Sequence, residues 1–143
     1  MGAVTRPLPV EDDRDTAGFW EAARRHVLVV RACQTCGAVL HMPRSYCHHC
    51  GSWAVEWREV AGRASLYSWT VVAHQVHPAF PAPYTVVLVQ LDEAPEVRLV
   101  GYLAGRPELS EGQPMKVWFE ATDDGVVLPQ WLPVVTGEEV QST

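Results

Sequence analysis

Two short motifs decide the fold of this chain: Cys33-Gln34-Thr35-Cys36-Gly37 and Cys47-His48-His49-Cys50-Gly51. They contain all four cysteines of the sequence. A C-x-x-C loop lets two thiolates face one ion, and the glycine after each motif suits a turn with positive φ. Two such loops supply enough sulfurs to close a tetrahedral site, and closed sites of this kind are usually structural. The spacing therefore predicts a structural metal site with four ligands: Cys33, Cys36, Cys47 and Cys50.

The identity of the metal stays open at this level, because thiolates accept both zinc and iron. We predict structural Zn²⁺ and keep iron, as in rubredoxin-like sites, as the alternative. Two disulfides would need an oxidising compartment. A thioredoxin-type pair would need a single C-x-x-C near a βαβ pattern, which we do not find. His48 and His49 could be alternative ligands, but four cysteines complete the set, and we predict that both histidines are exposed.

Composition limits the class of protein. The chain has 143 residues, of which 48% are hydrophobic, enough for one modest core with a metal-stapled module. A net charge of −6 and a pI near 5.4 argue against a nucleic-acid surface. No apolar run approaches the ~20 residues that span a bilayer. Residues 1–9 lack the order of a secretory signal, so we expect a cytoplasmic protein without membrane contact.

The first predicted unit, residues 1–26, is an extended arm followed by a short helix over about residues 15–26. Phe19 and Trp20 lie together on this helix, and another surface must pack against these two large aromatic side chains to bury them. The protein's own core or a partner subunit could provide it, and the sequence leaves both open.

The second predicted unit is a zinc ribbon over residues 27–60. A strand at 27–30 leads into the first motif, and a strand at 53–57 follows the second. A unit this small needs metal to fold. We expect the apolar side chains between the motifs to pack around the metal loops: Leu40, Met42, Pro43 and Tyr46.

The third predicted unit, residues 61–134, reads as β structure throughout, and residues 135–143 read as a loose tail. Five short strands without an intervening helix predict a small barrel such as the five-stranded OB-fold. The strands are expected at residues 62–72, 84–91, 97–103, 115–121 and 126–132. The strand at 84–91 is apolar on both faces, which predicts burial on both sides. Asp123-Asp124-Gly125 predicts a hairpin between the last two strands.

Alternation along the first of these strands assigns its side chains to two faces. We expect one face to carry Leu66, Ser68, Thr70 and Val72, and the other to carry Tyr67, Trp69 and Val71.

The loop at residues 74–84 is stiffened by three prolines and could contact a ligand or a partner. His74 and His77 could form a metal or acid–base pair, but no carboxylate or nucleophile motif accompanies them, and we predict packing and hydrogen bonding instead. Phe80 and Tyr84 are predicted to fill a groove or meet a partner. No catalytic motif is present in the sequence.

These residues resemble a known family, the acyl-CoA-associated OB-fold proteins with an N-terminal rubredoxin-like zinc ribbon, long catalogued as a domain of unknown function. The resemblance covers roughly residues 15–133. The matching pieces are Phe19-Trp20, Val30-Arg31-x-Cys33-x-x-Cys36-Gly37, Pro43-Arg44-x-x-Cys47-x-x-Cys50-Gly51, Gly62-Arg63-x-x-x-Tyr67-Ser68-Trp69-Thr70-Val71-Val72, Pro83-Tyr84-x-Val86-x-Leu88-Val89-x-Leu91-Asp92-Glu93 and Leu128-Pro129-Gln130-Trp131-x-Pro133.

The resemblance implies an accessory role without activity of its own. Members of this family are typically partners of thiolase-like proteins, which carry the catalytic residues, and some pair with aldolases that cleave steroid acyl-CoA side chains. A hetero-oligomer with a thiolase-like protein, acting on an acyl-CoA, is therefore expected. The residues that we assign to contact with the partner or the acyl-CoA are Phe19, Trp20, Trp69, His77, Phe80 and Tyr84.

Two alternatives from other functional classes are kept. OB barrels often bind single-stranded nucleic acid, although the acidic charge disfavours this. A small electron carrier with iron in the ribbon is the other alternative.

Overall fold

The computed structural model describes residues 4–135, so the predicted tail lies outside the described residues except for Val135. No helix in this described part of the chain is long and apolar enough to span a membrane. The elements, in chain order, are α1 (Ala17–Arg24), β1 (Leu28–Cys33), β2 (Val55–Val60), β3 (Arg63–Val72), β4 (Tyr84–Leu91), β5 (Arg98–Ala104), β6 (Pro114–Ala121) and β7 (Val127–Pro133).

The ribbon sheet consists of β1 and β2, which pair antiparallel with Arg31 opposite Trp57. The Arg31 guanidinium lies 4.6 Å from the centre of the Trp57 ring. The same indole lies against Gly18 of α1, where a Cβ atom would overlap the ring. Gly18 therefore allows the close approach of helix and ribbon.

The second sheet has the strand order β5-β4-β3-β6-β7, with antiparallel pairing throughout. Its five strands lie where the sequence predicts them, and the β6–β7 hairpin turns at the predicted Asp-Asp-Gly, with Gly125 at a φ of 84°. β5 and β7 contact each other without forming a ladder. The sheet is thus a partly open barrel.

The predicted faces of β3 are wrong beyond Leu66. A bulge shifts the register between Leu66 and Ser68, so that Leu66 lies opposite Val89 and Trp69 lies opposite Val87. Directly opposite residues share a face of a sheet. Leu66 therefore shares the inner face with Trp69 and not with Ser68, because the bulge adds one residue to β3 relative to β4.

The prediction that β4 is buried on both faces is also wrong. Its inner residues, among them Val87 and Val89, are fully buried, whereas Tyr84, Val86 and Leu88 on the outer face are only half-buried. The inner face joins a core around Trp131 that also includes Leu28 and Val30 of β1. Ribbon and barrel thus share one apolar core, and the outer face of β4 is left for another contact.

The linker between the two cysteine motifs differs in part from its expected packing. Leu40 is buried against Cys33 and Cys47, as predicted. Met42 is 67% exposed and Tyr46 is 39% exposed, so neither packs inside the metal loops. Tyr46 instead meets Trp53 on the surface, with ring centres 5.4 Å apart.

Candidate metal centre and apolar groove

The four cysteine sulfurs converge on one point. All four Sγ atoms lie within 4.8 Å of one another, with 3.7 Å between Cys33 and Cys50 and 3.6 Å between Cys36 and Cys47. Four sulfurs at a metal–sulfur distance of about 2.3 Å in a tetrahedron are separated by about 3.8 Å. The donor set therefore fits a tetrahedral four-thiolate metal.

The ribbon fixes this geometry through its backbone. Gly37 donates to the Cys33 carbonyl at 2.9 Å, and Gly51 donates to the Cys47 carbonyl at 2.8 Å. Both glycines have positive φ, 76° and 77°, as the two turns require. The two motifs thus form equivalent loops that present their sulfurs to one ion, and no coordination position remains for a substrate.

The thiols of the centre differ in acidity. The backbone N–H of Cys36, donating to the sulfur, lowers the pKa of Cys33 to about 6. The hydrogen bond from the Ser52 backbone lowers the pKa of Cys50, but burial and the three neighbouring thiols together outweigh it and raise this pKa to about 12. A bound cation supplies the positive charge that lets all four sulfurs ionise together.

His48 and His49 are exposed, as predicted, and their rings lie 4.2 Å apart between centres. The group of metal-binding side chains in residues 4–135 consists of the four cysteines without either histidine.

A second feature is an apolar groove of about 650 Å³ between α1, the N-terminal arm and the outer faces of β4, β5 and β7. We call it the apolar groove. Its lining is Arg6, Pro7, Phe19, Trp20, His41, Met42, Phe80, Tyr84, Val86, Arg98, Leu99, Val100, Gly101, Tyr102, Leu128, Pro129, Gln130 and Trp131.

An aromatic cluster forms one wall of the apolar groove. The ring centres of Phe80, Tyr84 and Tyr102 lie 5.4 to 6.0 Å apart pairwise. Phe19 and Trp20 contribute a second aromatic pair from α1, edge to face at 5.0 Å. Aromatic side chains of this kind present a large apolar surface, as ligand and partner sites do.

Four of the six predicted contact residues thus line one groove, although they come from three separate segments: Phe19, Trp20, Phe80 and Tyr84. Trp69 is 38% exposed and His77 is partly buried, and neither lines the groove. His77 accepts a hydrogen bond from the Ala79 backbone at its Nδ1, at 3.1 Å, and lies 6.0 Å from the Phe80 ring. His77 thus lies beside Phe80 and forms a hydrogen bond within its own loop, in agreement with the predicted packing and hydrogen bonding.

Among the groove residues that were not singled out from the sequence, three stand out: Arg6, Tyr102 and Gln130. Tyr102 lies in a predicted strand that carries no functional motif, and Arg6 lies in the N-terminal arm. Gln130 is buried, and its Oε1 accepts a hydrogen bond from the Tyr102 backbone at 2.8 Å. Gln130 belongs to the Leu128-Pro129-Gln130-Trp131 motif of the family resemblance, which assigns it no role.

Comparison with known proteins gives matches over most of the chain. The model of the ChsH2 rubredoxin-like zinc ribbon domain matches residues 20–56, and that of the ChsH2 C-terminal OB-fold domain matches residues 57–120. These matches confirm the predicted order of zinc ribbon and OB-fold.

Three similar proteins illustrate the range of relatives. A probable enoyl-CoA hydratase alpha subunit of Thermomonospora curvata is 42% identical over 137 residues, covering 94% of this chain but only 42% of the relative. A DUF35 domain-containing scaffold protein of Pyrococcus furiosus is 27% identical, covering 84% of this chain and 93% of that protein. A solved structure described as the Ltp2-ChsH2(DUF35) aldolase has 37% identity and a TM-score of 0.80, covering 91% of this chain and 100% of that chain.

Proposed function

This chain belongs to the ChsH2 (DUF35) family, and we therefore propose that it is a non-catalytic accessory subunit of a thiolase-fold aldolase or thiolase that acts on acyl-CoA esters. The observation that carries the proposal is the apolar groove, where aromatic side chains from α1, the 74–84 loop and β5 form one surface. A groove of this size and character suits partner side chains or an acyl chain.

The relatives support this role at a coarser level. One relative is named a scaffold protein, and another is named a hydratase subunit. The similar solved structure is described as an aldolase with two components, Ltp2 and ChsH2. The chain spans less than half of the length of the hydratase subunit. The activity of that whole protein is therefore not transferred to this chain. A steroid side chain as the acyl group is a finer proposal from the sequence resemblance. The complex is proposed to be cytoplasmic, because cysteines that are not paired in disulfides are typical of reducing compartments.

The metal of the four-cysteine centre is proposed to be zinc, with Cys33, Cys36, Cys47 and Cys50 as ligands. Zinc in such a closed site contributes folding energy and no chemical step. The alternative of an iron electron carrier predicts a coloured protein that bleaches reversibly with reductant. Elemental analysis of the purified chain, together with its visible spectrum, separates the two metals.

The proposed function is tested by co-purification. The tagged chain is expressed with the thiolase-like protein encoded nearest to it, and the complex is assayed for acyl-CoA cleavage. We expect a stoichiometric complex, no activity of the chain alone, and activity of the complex. Failure to bind any neighbouring thiolase-like protein would argue strongly against the accessory role.

A matched pair of variants locates the contact. Val100 is 64% exposed and lines the apolar groove, whereas Val76 is 76% exposed and lies outside it. Val100→Glu should weaken the complex about tenfold or more, because a charge is placed in an apolar contact. Val76→Glu should leave it unchanged. Equal effects of the two changes would show that the groove is not the contact.

A further inference from the structure

The second half of β3 has a strand edge that no other part of the described chain covers. β3 pairs with β6 only at residues 63–65, and Leu66 makes the last backbone hydrogen bonds on that side, with Gly112 and Gln113. Residues 67–72 pair with β4 alone, and no other strand in the described part of the chain pairs with their second edge. We call residues 67–72 the open edge.

The backbone groups that this edge presents follow from the register. The N–H of Leu66 donates to Gln113 and its C=O accepts from Gly112, so both groups point away from β4. In an antiparallel pair this orientation alternates along the strand. Leu66, Trp69 and Val71 lie opposite every second residue of β4, at positions 89, 87 and 85. The N–H and C=O groups of Trp69 and Val71 therefore also point away from β4, toward the open edge.

The open edge lacks the features that usually protect an edge strand. Its sequence is Tyr-Ser-Trp-Thr-Val-Val, without a charge or a proline. Tyr67 is 45% exposed and Trp69 is 38% exposed, and Ser68 and Thr70 are exposed as well. A long, uncharged and exposed edge of β-branched and aromatic residues pairs readily with another strand.

Two other edge strands of the molecule are protected. β2, at the edge of the ribbon sheet, carries three charged residues, Glu56, Arg58 and Glu59. β7 carries Pro129 and Pro133, which cannot donate to a ladder. Because charges and prolines are the usual protection of sheet edges, their absence from residues 67–72 indicates that this edge is covered in the assembled protein.

We propose that the open edge pairs antiparallel with the open edge of a second copy of this chain, around a two-fold axis at Thr70. In this register Trp69 of each copy exchanges both backbone hydrogen bonds with Val71 of the other copy. All four outward backbone groups of each copy are then paired. The side chains match too, because aromatic residues opposite β-branched ones and threonine opposite threonine are favourable cross-strand pairs.

Charge favours the same occupant. The chain has a net charge of −6, so most of its surface repels a second copy. Pairing along residues 67–72 places no charged side chain opposite another, because the segment contains none. It also covers Trp69, an inner-face residue that the barrel leaves partly exposed and that does not line the apolar groove. The inference stands independently of the proposed function.

The first test uses the full chain, purified with its metal and without a partner. Sedimentation should show an equilibrium between a monomer of 15.9 kDa and a dimer of twice that mass. As the dimer fraction rises, hydrogen exchange should slow at the amides of Trp69 and Val71, while that of Thr70, which faces β4, stays constant. A chain that remains monomeric up to about 1 mM, or a dimer with unchanged exchange at both amides, would overturn the proposal.

A charge exchange at the two-fold axis tests the register. Thr70→Lys and Thr70→Glu should each weaken the dimer about tenfold or more, because two like charges then lie opposite each other. An equimolar mixture of the two variants should recover the dimer, with lysine opposite glutamate. Val10→Lys, at a 68% exposed position in the N-terminal arm, is the control and should dimerise like the wild type.

The other outcomes count against the second copy. Dimers of wild-type strength in both Thr70 variants would show that the open edge is not the contact, and a mixture that stays monomeric would overturn the two-fold register. If the wild type is monomeric and Thr70→Lys abolishes the complex with the thiolase-like protein, the edge contacts that protein instead. Thermal unfolding of each variant checks that the exposed substitutions leave the fold intact.

Discussion

Arg6 and Glu120 are separated by 114 residues, yet the Arg6 guanidinium donates one hydrogen bond to each carboxylate oxygen of Glu120, both at 3.0 Å. Glu120 also accepts a hydrogen bond from Gln130 Nε2 at 3.1 Å, and Gln130 Oε1 accepts one from the Tyr102 backbone. The N-terminal arm, β6, β7 and β5 are thus connected by one polar chain. Arg6, Gln130 and Tyr102 line the apolar groove, so this series of hydrogen bonds links the walls of the groove to one another.

The first prediction concerns the pH dependence of this link. Hydrogen bonds from Arg6 lower the pKa of Glu120 below its ordinary value of 4.5. A lowered pKa in the folded state means that the stabilisation is present above the unfolded value and is lost as the pH falls through the folded one. Arg6→Gln should therefore raise the pKa of Glu120 in an NMR titration and cost about 0.5–1 kcal/mol at neutral pH.

The stability difference between Arg6→Gln and the wild type should vanish in acid, where Glu120 is protonated in both. Arg106→Gln, which removes an exposed cation elsewhere, is the control and should leave the Glu120 titration unchanged. An identical Glu120 pKa in the wild type and in Arg6→Gln would show that the arm does not hold this carboxylate in solution.

The second prediction tests the approach of α1 to the ribbon. In Gly18→Ala, the new methyl group overlaps the Trp57 ring, which Arg31 covers on the ribbon. Overpacking of this kind costs about 1–3 kcal/mol, measured by urea denaturation. In a Trp57→Ala background the overlap is gone, and Gly18→Ala should stabilise the protein by up to about 1 kcal/mol through helix propensity.

This reversal of sign is the decisive result for Gly18. Glu21→Ala, an exposed change on the same helix, should alter stability by less than about 0.5 kcal/mol in either background. If Gly18→Ala has the same effect with and without Trp57, the indole does not rest on the helix.

The parts of the fold that the sequence predicts are those with local signals. The cysteine spacing and trailing glycines predict the ribbon, and the Asp-Asp-Gly turn predicts the β6–β7 hairpin. The bulge in β3 has no such signal, because Tyr67, Ser68 and Trp69 alternate equally well in either register. A bulge leaves the local sequence pattern intact and shifts only the register of β3 against β4.

The candidate site was predictable only in part for a related reason. Phe19, Phe80 and Tyr84 stand out as large aromatics near loops or on a short helix, and the structure brings them to one groove. That the outer face of β4 is only half-buried depends on what packs there, which a run of apolar residues does not reveal. Contacts such as Arg6 with Glu120 depend on tertiary topology, since neither residue carries a motif.

The third prediction concerns the seam between β5 and β7. The Gln130 side chain supplies the acceptor for the Tyr102 backbone N–H where the two strands touch without a ladder. Gln130→Leu leaves that donor unpaired in a part-buried place and should cost about 1–3 kcal/mol, with faster hydrogen exchange at the Tyr102 amide.

Gln75→Leu is the matched control for Gln130. Gln75 also accepts a hydrogen bond from a backbone N–H, that of Ala82, but in an exposed loop at 3.4 Å. Water can replace it there, so the change should cost less than about 0.5 kcal/mol. Unchanged exchange of the Tyr102 amide in Gln130→Leu would mean that the seam is closed by other contacts.

The last prediction separates a structural metal from a catalytic one. Cys36→Ser removes one of the four converging sulfurs and should abolish tight metal binding, as measured by elemental analysis. Because Leu28 and Val30 of the ribbon belong to the barrel core, loss of the metal should destabilise both parts of the chain. His48→Ala and His49→Ala should keep the metal, because both histidines lie outside the four-sulfur group. A soluble, folded and metal-free Cys36→Ser protein would contradict the structural role, since the fold would then not depend on the ion that the four sulfurs are arranged to hold.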